Sequence, residues 1–159
     1  MARRRSDIKL HILNESSVKT VPLGKPVMIR CIQAALRAAN MPAATCEISL
    51  YFVDDERMRE LNRKHRGIDR TTDVLGFPQF ASREEISPGP EGHILLGDIV
   101  ISLQTLNRRC KIRRENPARE MAAYLIHAVL HLIGYDHDEK RGRAAMQAIE
   151  SDIIDTISL

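Results

Sequence analysis

The first half of the chain alternates between two hydrophobic spacings, one typical of strands and one typical of helices. Residues 8–12 are apolar at every second position, as in a half-buried strand. Residues 26–39 carry apolar side chains three and four positions apart, which predicts an amphipathic helix. The β-branched and aromatic run at 46–53 predicts a second strand, and a helix capped by Asp54 or Asp55 is expected to extend to about residue 65.

The second half predicts a long loop, a strand and a series of helices. Prolines and glycines between 78 and 93 indicate a surface loop. Residues 93–102 form a nearly continuous apolar run, as in a central strand, interrupted by Gly97 and Asp98, so Asp98 is predicted to be buried. The remaining patterns predict helices over about 103–113, 117–133 and 138–156, the second capped by Asn116 and ended by Gly134.

These elements predict an α+β fold. Strands are mixed with helices and the C-terminal half is rich in helix, which favours one small β-sheet packed with helices. A length of 159 residues fits a single domain spanning 1–159. A chain of this size buries roughly two-thirds of its unfolded surface, so the fold needs no metal to persist. Any metal bound here is therefore free to serve a reaction.

Cysteine content and hydropathy restrict the setting of the protein. Cys31, Cys46 and Cys110 are odd in number and far apart, which argues against a disulfide framework and against a cysteine zinc site. No apolar run approaches the roughly 18 residues needed to span a bilayer, and the N-terminal arginines lack the apolar segment of a signal peptide. We therefore expect a cytosolic protein without a membrane partner.

The charge balance is weakly basic, and its distribution matters more than its total. The formal net charge is +3, too small to indicate a nucleic-acid partner by itself. Basic residues cluster at 3–5, 63–70 and 108–114, while acidic residues concentrate towards the C-terminus. We expect the second and third clusters to flank a functional cleft if the partner is a nucleic acid, and binding would then depend on salt.

The segment with the clearest chemistry is H-x3-H-x2-G-x2-H, which contains His127, His131, Gly134 and His137. Residues four apart on a helix lie on one face, about one turn or 6 Å apart, so the first two imidazoles can share one ion. Gly134 permits the left-handed backbone that ends the helix and returns the third histidine towards the same point. The pattern predicts a zinc-like transition-metal site on a zincin-like helix.

Three protein ligands leave one position of a tetrahedral ion open, and that position distinguishes a catalytic zinc from a structural one. The ion can activate water or polarise a phosphoryl or carbonyl oxygen. Two alternatives remain: a structural site completed by Asp136, and a metallopeptidase of the metzincin type. The metzincin motif begins H-E, and its glutamate is the general base, whereas Ala128 occupies that position here.

The histidine segment resembles the signature H-G-x-L-H-L-x-G-Y-D-H of the YbeY family, bacterial rRNA maturation factors that are metal-dependent endoribonucleases. Two further blocks, 61–78 and 96–102, are similar to the same family. Two positions depart from its pattern: Ala128 replaces a glycine, and Gly76 replaces the serine of a V-L-S-F-P block. The change at Gly76 removes a hydroxyl group, and the change at Ala128 could crowd a substrate or strand beside the helix.

The resemblance implies a small mixed β-sheet of about four strands packed with about five helices. It also implies a single-strand-specific endoribonuclease acting in small-subunit rRNA 3′-end maturation and ribosome quality control. It implies one zinc ion per chain on His127, His131 and His137, although nickel or another divalent transition metal suits three histidines equally. It also implies a catalytic role for Arg66, which can donate two hydrogen bonds to a phosphate. The implied partners are single-stranded rRNA and the ribosome, through a small-subunit protein or an assembly GTPase; no DNA partner is expected.

A rival from another class is a non-catalytic ribosome-assembly factor whose metal braces the C-terminal helices. Several polar residues are secondary candidates. Asp136 could orient a histidine or act as a base, and Asp73 and Asp98 are interpreted as structural carboxylates that bond backbone or a histidine. His93, at the mouth of the long loop, is expected near the cleft. His65 and His11 carry no predicted role.

Overall fold

The computed structural model describes residues 5–136 and 140–159, so the predicted ligand His137 lies outside the described residues. The elements are β1 (Asp7–Asn14), α1 (Lys25–Ala38), β2 (Thr45–Val53), α2 (Asp55–Arg66), β3 (Val74–Pro78), a short 3-10 turn (Arg83–Glu85), β4 (His93–Ser102), α3 (Leu103–Arg113), α4 (Pro117–Leu132) and α5 (Lys140–Thr156). The predicted α+β class with four strands and five helices is confirmed. Among the described residues, no helix is both long and apolar enough to cross a membrane.

The four strands form one mixed sheet in the order β1-β2-β4-β3. β1, β2 and β4 run parallel, and β3 runs antiparallel to β4. One face carries the main core, in which strand residues such as Ile48 and Ile99 pack with α1 and α4. A smaller cluster on the other face joins Met58 of α2 to Leu75 and Val100. β3 is therefore an outer strand of the sheet, and α4 packs beside it.

The prediction that Asp98 is buried is wrong, and a bulge in β4 explains the error. Glu47 of β2 pairs with Leu95, but Ile48 pairs with Gly97, so one extra residue is inserted in β4. The extra residue reverses the alternation of side chains, and Asp98 turns outward and is exposed. Glycine is required at the bulge: Gly97 has a φ of 133°, and a Cβ there would lie 2.1 Å from the carbonyl oxygen of Phe77.

The ends of α4 were predicted correctly from their capping residues. The Asn116 side chain accepts a hydrogen bond from the backbone N–H of Ala118, which caps the N-terminus. Gly134 adopts a φ of 99° just beyond the C-terminus, and the N–H of Tyr135 donates to the carbonyl of Leu130 at 3.0 Å. This termination fixes the helical register that presents the two histidines.

All three cysteines are buried free thiols, as the absence of paired spacing predicted. Burial raises the pKa of Cys31 and of Cys46 to about 11. A thiol with so high a pKa is protonated at neutral pH and is a poor nucleophile or metal ligand. The cysteines therefore belong to the core.

Candidate functional site

A cleft of about 440 Å³ opens between the outer edge of β3 and the helix α4. Its walls bring together residues that are far apart in the sequence and include three predicted site residues, Arg66, His127 and His131. The complete lining is Arg66, Thr72, Asp73, Val74, Gly76, His127, Ala128, His131 and Asp136. The cleft thus joins the end of α2, the strand β3 and one face of α4.

His127 and His131 lie one turn apart on α4, as their spacing predicted. Their Nε2 atoms are 3.2 Å from each other, and the ring centroids are 4.7 Å apart. The side chain of His127 is only 30% exposed, so the helix holds it against the cleft wall rather than in open solvent. Among the described residues no set of three ligating side chains is assembled, and the predicted third ligand, His137, lies outside them.

Glu150 of α5 contacts the other nitrogen of His127. Its Oε1 lies 2.6 Å from Nδ1 of the imidazole, and its side chain is 22% exposed. A carboxylate can only accept here, so Nδ1 carries the hydrogen and the lone pair of Nε2 faces His131. No local sequence pattern marks Glu150 as a site residue, because it lies 23 positions from His127 on a different helix.

The geometry of the two histidines fits a transition-metal ion. Two Nε2 atoms that both carry a lone pair can ligate the same ion. Ligands at about 2.0–2.1 Å in a tetrahedral set are about 3.3 Å apart. The observed separation of 3.2 Å is close to that value. Imidazole nitrogens suit zinc, copper, iron and nickel.

Arg66 and Asp73 line the same cleft as the histidines. Arg66 is the last residue of α2, which ends at Gly67 in the left-handed conformation with a φ of 69°. Asp73 accepts a hydrogen bond from the backbone N–H of Val74 at 2.8 Å. It also forms an ion pair with Arg109. Its predicted role as a structural carboxylate is confirmed. Asp136 also lines the cleft, and its role as a base or orienting group stays a prediction.

The two central basic clusters contribute less to the cleft than expected. The cluster at 63–70 supplies Arg66, but the cluster at 108–114 is partly neutralised by acidic neighbours. Arg108 pairs with Asp55 at 2.7 Å, and Arg109 pairs with Asp73. The second cluster therefore influences the cleft indirectly, through the ion pair of Arg109 with the lining residue Asp73.

The remaining histidines lie elsewhere. His93 was expected near the cleft, and this prediction is wrong: its Nδ1 lies 3.2 Å from Lys9 Nζ, on the open face of the sheet. His11 on the same face contacts Glu47 at 2.8 Å. His65 packs its ring edge against Phe77, with centroids 4.9 Å apart.

The two departures from the family pattern meet at the contact between β3 and α4. A Cβ added at Gly76 would lie 3.8 Å from the carbonyl oxygen of Ala128 and 3.8 Å from Leu132 Cδ2. Both are ordinary van der Waals distances, so the site accommodates a small side chain in this position. Ala128 is 2% exposed, and its methyl group is buried in the helix packing.

An α+β domain whose cleft is lined by two neighbouring histidines of one helix and by an arginine has the make-up of a hydrolase. The family model described as Endoribonuclease YbeY matches residues 11–158. The chain therefore belongs to the endoribonuclease YbeY family, as the resemblance of the three sequence blocks indicated.

Similar proteins agree with this assignment. An endoribonuclease YbeY of Moorella thermoacetica is 40% identical over 87% of this chain and 91% of its own length. An endoribonuclease YbeY of Pelotomaculum thermopropionicum is 38% identical over 84% of this chain and 86% of its own. The solution structure of TM1509 from Thermotoga maritima has a TM-score of 0.55 at 21% identity, covering 91% of this chain and 89% of that one. This last likeness supports the fold.

Proposed function

We propose that this chain is a metal-dependent endoribonuclease that cuts single-stranded RNA in small-subunit rRNA maturation. Membership of the endoribonuclease YbeY family supports the nuclease reaction and RNA as the substrate. The observation that carries the metal dependence is the 3.2 Å approach of two histidine nitrogens, one held by a glutamate, inside an arginine-flanked cleft. Two nitrogens placed in this way can ligate one metal ion. Histidines that only pack in a core have no need of this arrangement.

The proposed cofactor is one zinc ion per chain, with nickel or another divalent transition metal as a substitute. His127 and His131 would hold it, with His137 as the third ligand. A bound zinc supplies a Lewis acid and lowers the pKa of a coordinated water to near 7. The contact with Glu150 holds a hydrogen of His127 on Nδ1, which orients Nε2 as the ligating atom.

Arg66, which lines the cleft, is the proposed catalytic residue beside the histidines. A guanidinium can donate two hydrogen bonds to the non-bridging oxygens of a phosphodiester and offset the charge that develops during its cleavage. Asp73 also lines the cleft, and its oxygens accept from Val74 and Arg109. Asp136 lines the cleft too, and its proposed role is to accept a proton from the attacking group, whether that group is water or the RNA's own 2′-hydroxyl.

The protein itself offers little for recognising base sequence. The chain has no tryptophan and only three each of tyrosine and phenylalanine, so stacking platforms for bases are few. We therefore expect the choice of cleavage site to come from the ribosome, a small-subunit protein or an assembly GTPase. The expected location is the cytosol.

Two other functions are less well supported. A metallopeptidase needs a general base next to the first histidine, and Ala128 cannot accept a proton. A non-catalytic assembly factor with a structural metal needs no arginine at an open cleft, yet Arg66 lines one. Membership of a nuclease family also favours the enzyme.

The test is cleavage of a labelled single-stranded rRNA fragment by the purified protein, beside a single-stranded DNA of equal sequence and a denatured protein substrate. The proposal expects cleavage of the RNA alone, and loss of that cleavage in Arg66→Ala while its thermal stability is retained. RNA left intact by the wild type, with cleavage of the protein substrate, would establish the peptidase. Equal RNA cleavage by wild type and Arg66→Ala would mean that this cleft is not the nuclease site.

A further inference from the structure

The outer edge of β3 forms part of the cleft wall, and its hydrogen-bonding groups have a definite direction. The carbonyl of Asp73 accepts from the N–H of Ser102 at 2.9 Å, and the N–H of Gln79 donates to the carbonyl of Leu96 at 3.0 Å. In an antiparallel pair, bonded positions recur at every second residue. Positions 73, 75, 77 and 79 therefore face β4. The peptide groups of 74, 76 and 78 face away from it, towards the edge at which the cleft opens.

Of these three outward positions only one offers a free N–H group. Pro78 has no amide hydrogen, and its tolerance at this place agrees with the assigned direction, since an inward proline would break the ladder. The N–H of Val74 already donates to the carboxylate of Asp73 at 2.8 Å. Within residues 5–136 and 140–159, Gly76 makes no backbone bond outside the sheet ladder. Its N–H is the remaining donor of this edge.

A single donor does not suit an added peptide strand. Strand addition needs a repeated series of donors and acceptors along the edge, and proline or a capped amide is a common way to prevent it. An RNA chain has different needs. It brings an anionic phosphate, which accepts from an N–H, and a 2′-hydroxyl, which can donate to the outward carbonyls of Val74 and Gly76. Gly76 also has no side chain beyond its backbone to screen this donor.

We propose that the backbone N–H of Gly76 binds a phosphate of the RNA substrate, in the cleft that Arg66 and the histidine pair also line. The inference rests on the proposed endoribonuclease function and adds a binding group to the same cleft. Gly76, His127 and Arg66 all line this cleft, so one nucleotide can contact the strand edge while its neighbour reaches the histidines. The carbonyls next to this N–H favour a hydroxyl donor, so the strand edge selects RNA over DNA.

The experiment removes the N–H without adding atoms. Semisynthesis replaces the amide between Leu75 and Gly76 with an ester, and the metal-loaded product is compared with wild type on a short single-stranded RNA. Two ordinary variants accompany it: Gly76→Pro, which also lacks the N–H, and Gly76→Ala, which keeps it and for which the site has room. Loss of a hydrogen bond to a charged group is worth roughly 10- to 100-fold in kcat/KM. We expect that loss in the ester and proline proteins, with the alanine protein at least about tenfold more active than the proline protein.

Circular dichroism and metal content, measured on every protein, separate loss of the donor from loss of the fold. An ester protein that is folded, metal-loaded and as active as wild type overturns the assignment to Gly76 and leaves the nuclease function standing. A wild type that does not cut RNA overturns both. Unchanged RNA cleavage together with lost binding of an extended peptide would show that the edge serves peptide addition, and would also overturn the proposal.

Discussion

In the described part of the chain, two pairs of histidines each include a member that contacts a glutamate. The two pairs differ in the other groups that lie next to their ring nitrogens. The cleft pair is His127 and His131 on α4, and the open-face pair is His11 and His93 on strands β1 and β4. The shortest histidine–glutamate distance is 2.6 Å for the cleft pair and 2.8 Å for the open-face pair. A histidine–carboxylate contact therefore occurs at both places and does not by itself separate the two pairs.

What distinguishes the cleft pair is how close its two ring nitrogens lie. Nε2 of His127 is 3.2 Å from Nε2 of His131, close enough for both atoms to ligate one ion. On the open face, the Nδ1 atom of His93 lies 3.2 Å from the ammonium group of Lys9, where a positive charge already stands. The side chain of His11 is also 60% exposed, twice the value for His127. Convergence in a sheltered cleft, rather than histidine content, is the feature to look for.

The largest expected effect comes from removing one histidine of each pair. The His131→Ala protein should lose almost all of its metal and cut RNA more than about a hundredfold more slowly than wild type. This loss exceeds the roughly 10- to 100-fold expected when the substituted residue only orients a metal ligand. His93→Ala should keep the wild-type metal content and rate. Mass spectrometry of the native proteins measures the metal, and a gel assay measures cleavage. Equal metal content in both variants would remove the distinction between the pairs.

The second test uses Arg66, which lines the cleft together with the cleft pair. Arg66→Ala should lower kcat by about 100-fold, as expected when one donor to developing charge is removed, while the metal content stays constant. Arg66→Lys keeps the charge but not the two-pronged donation, and should recover part of the rate. Steady-state kinetics on single-stranded RNA provide the values. A change confined to KM would assign Arg66 to substrate binding instead.

The third test compares the two glutamates. Glu150→Gln should weaken zinc binding by about 10- to 100-fold, because a neutral amide orients His127 less strongly and lowers its basicity. Glu47→Gln, the matched change on the open face, should leave zinc affinity as in wild type. Competition with a chromophoric chelator measures both affinities. If the two substitutions have the same effect, Glu150 acts through general charge and not through His127.

How well the sequence predicted each feature of this site depends on how far apart the interacting residues are along the chain. The histidine spacing on α4 and the caps of that helix are local, and both were predicted. The contact of Glu150 with His127 joins two helices, and nothing near Glu150 in the sequence signals it. The exposure of Asp98 was missed because a one-residue bulge reverses the alternation that the apolar run suggested.

The short strand β3 was harder to predict than the longer strands. Its five residues, VLGFP, contain a glycine and a proline, which are poor strand formers, so hydrophobic alternation did not indicate it. The count of about four strands was nevertheless correct. The structure assigns β3 to the edge, where proline is tolerated at a position that faces away from the neighbouring strand. The order of the strands depends on contacts across the whole chain, which local patterns do not encode.

The smallest expected effect concerns the thermal stability of the fold that carries both histidine pairs. Burial raises the pKa of Asp55, but bonds from Thr105, Ser102 and Arg108 outweigh it, and the pKa lies below its ordinary value of 3.8. A lowered carboxyl pKa stabilises the fold above pH 3.8, and this contribution is lost as the pH falls through the lowered value. Asp55→Asn should therefore lower the Tm at neutral pH, and the difference from wild type should shrink in acid. Thermal scans between pH 3 and 7 should show a difference on the order of 2–4 °C at neutral pH, as for about 1 kcal/mol in a domain of this size.

The most direct test of a metal-dependent nuclease at the cleft pair is a titration. Wild-type protein stripped of metal receives increasing zinc, and cleavage of a labelled single-stranded RNA is measured at each addition beside His131→Ala. The account predicts that wild-type activity rises with bound zinc and levels off near one ion per chain, while the variant stays at background. Full activity in the stripped protein, or an equal response of the variant to zinc, would contradict it.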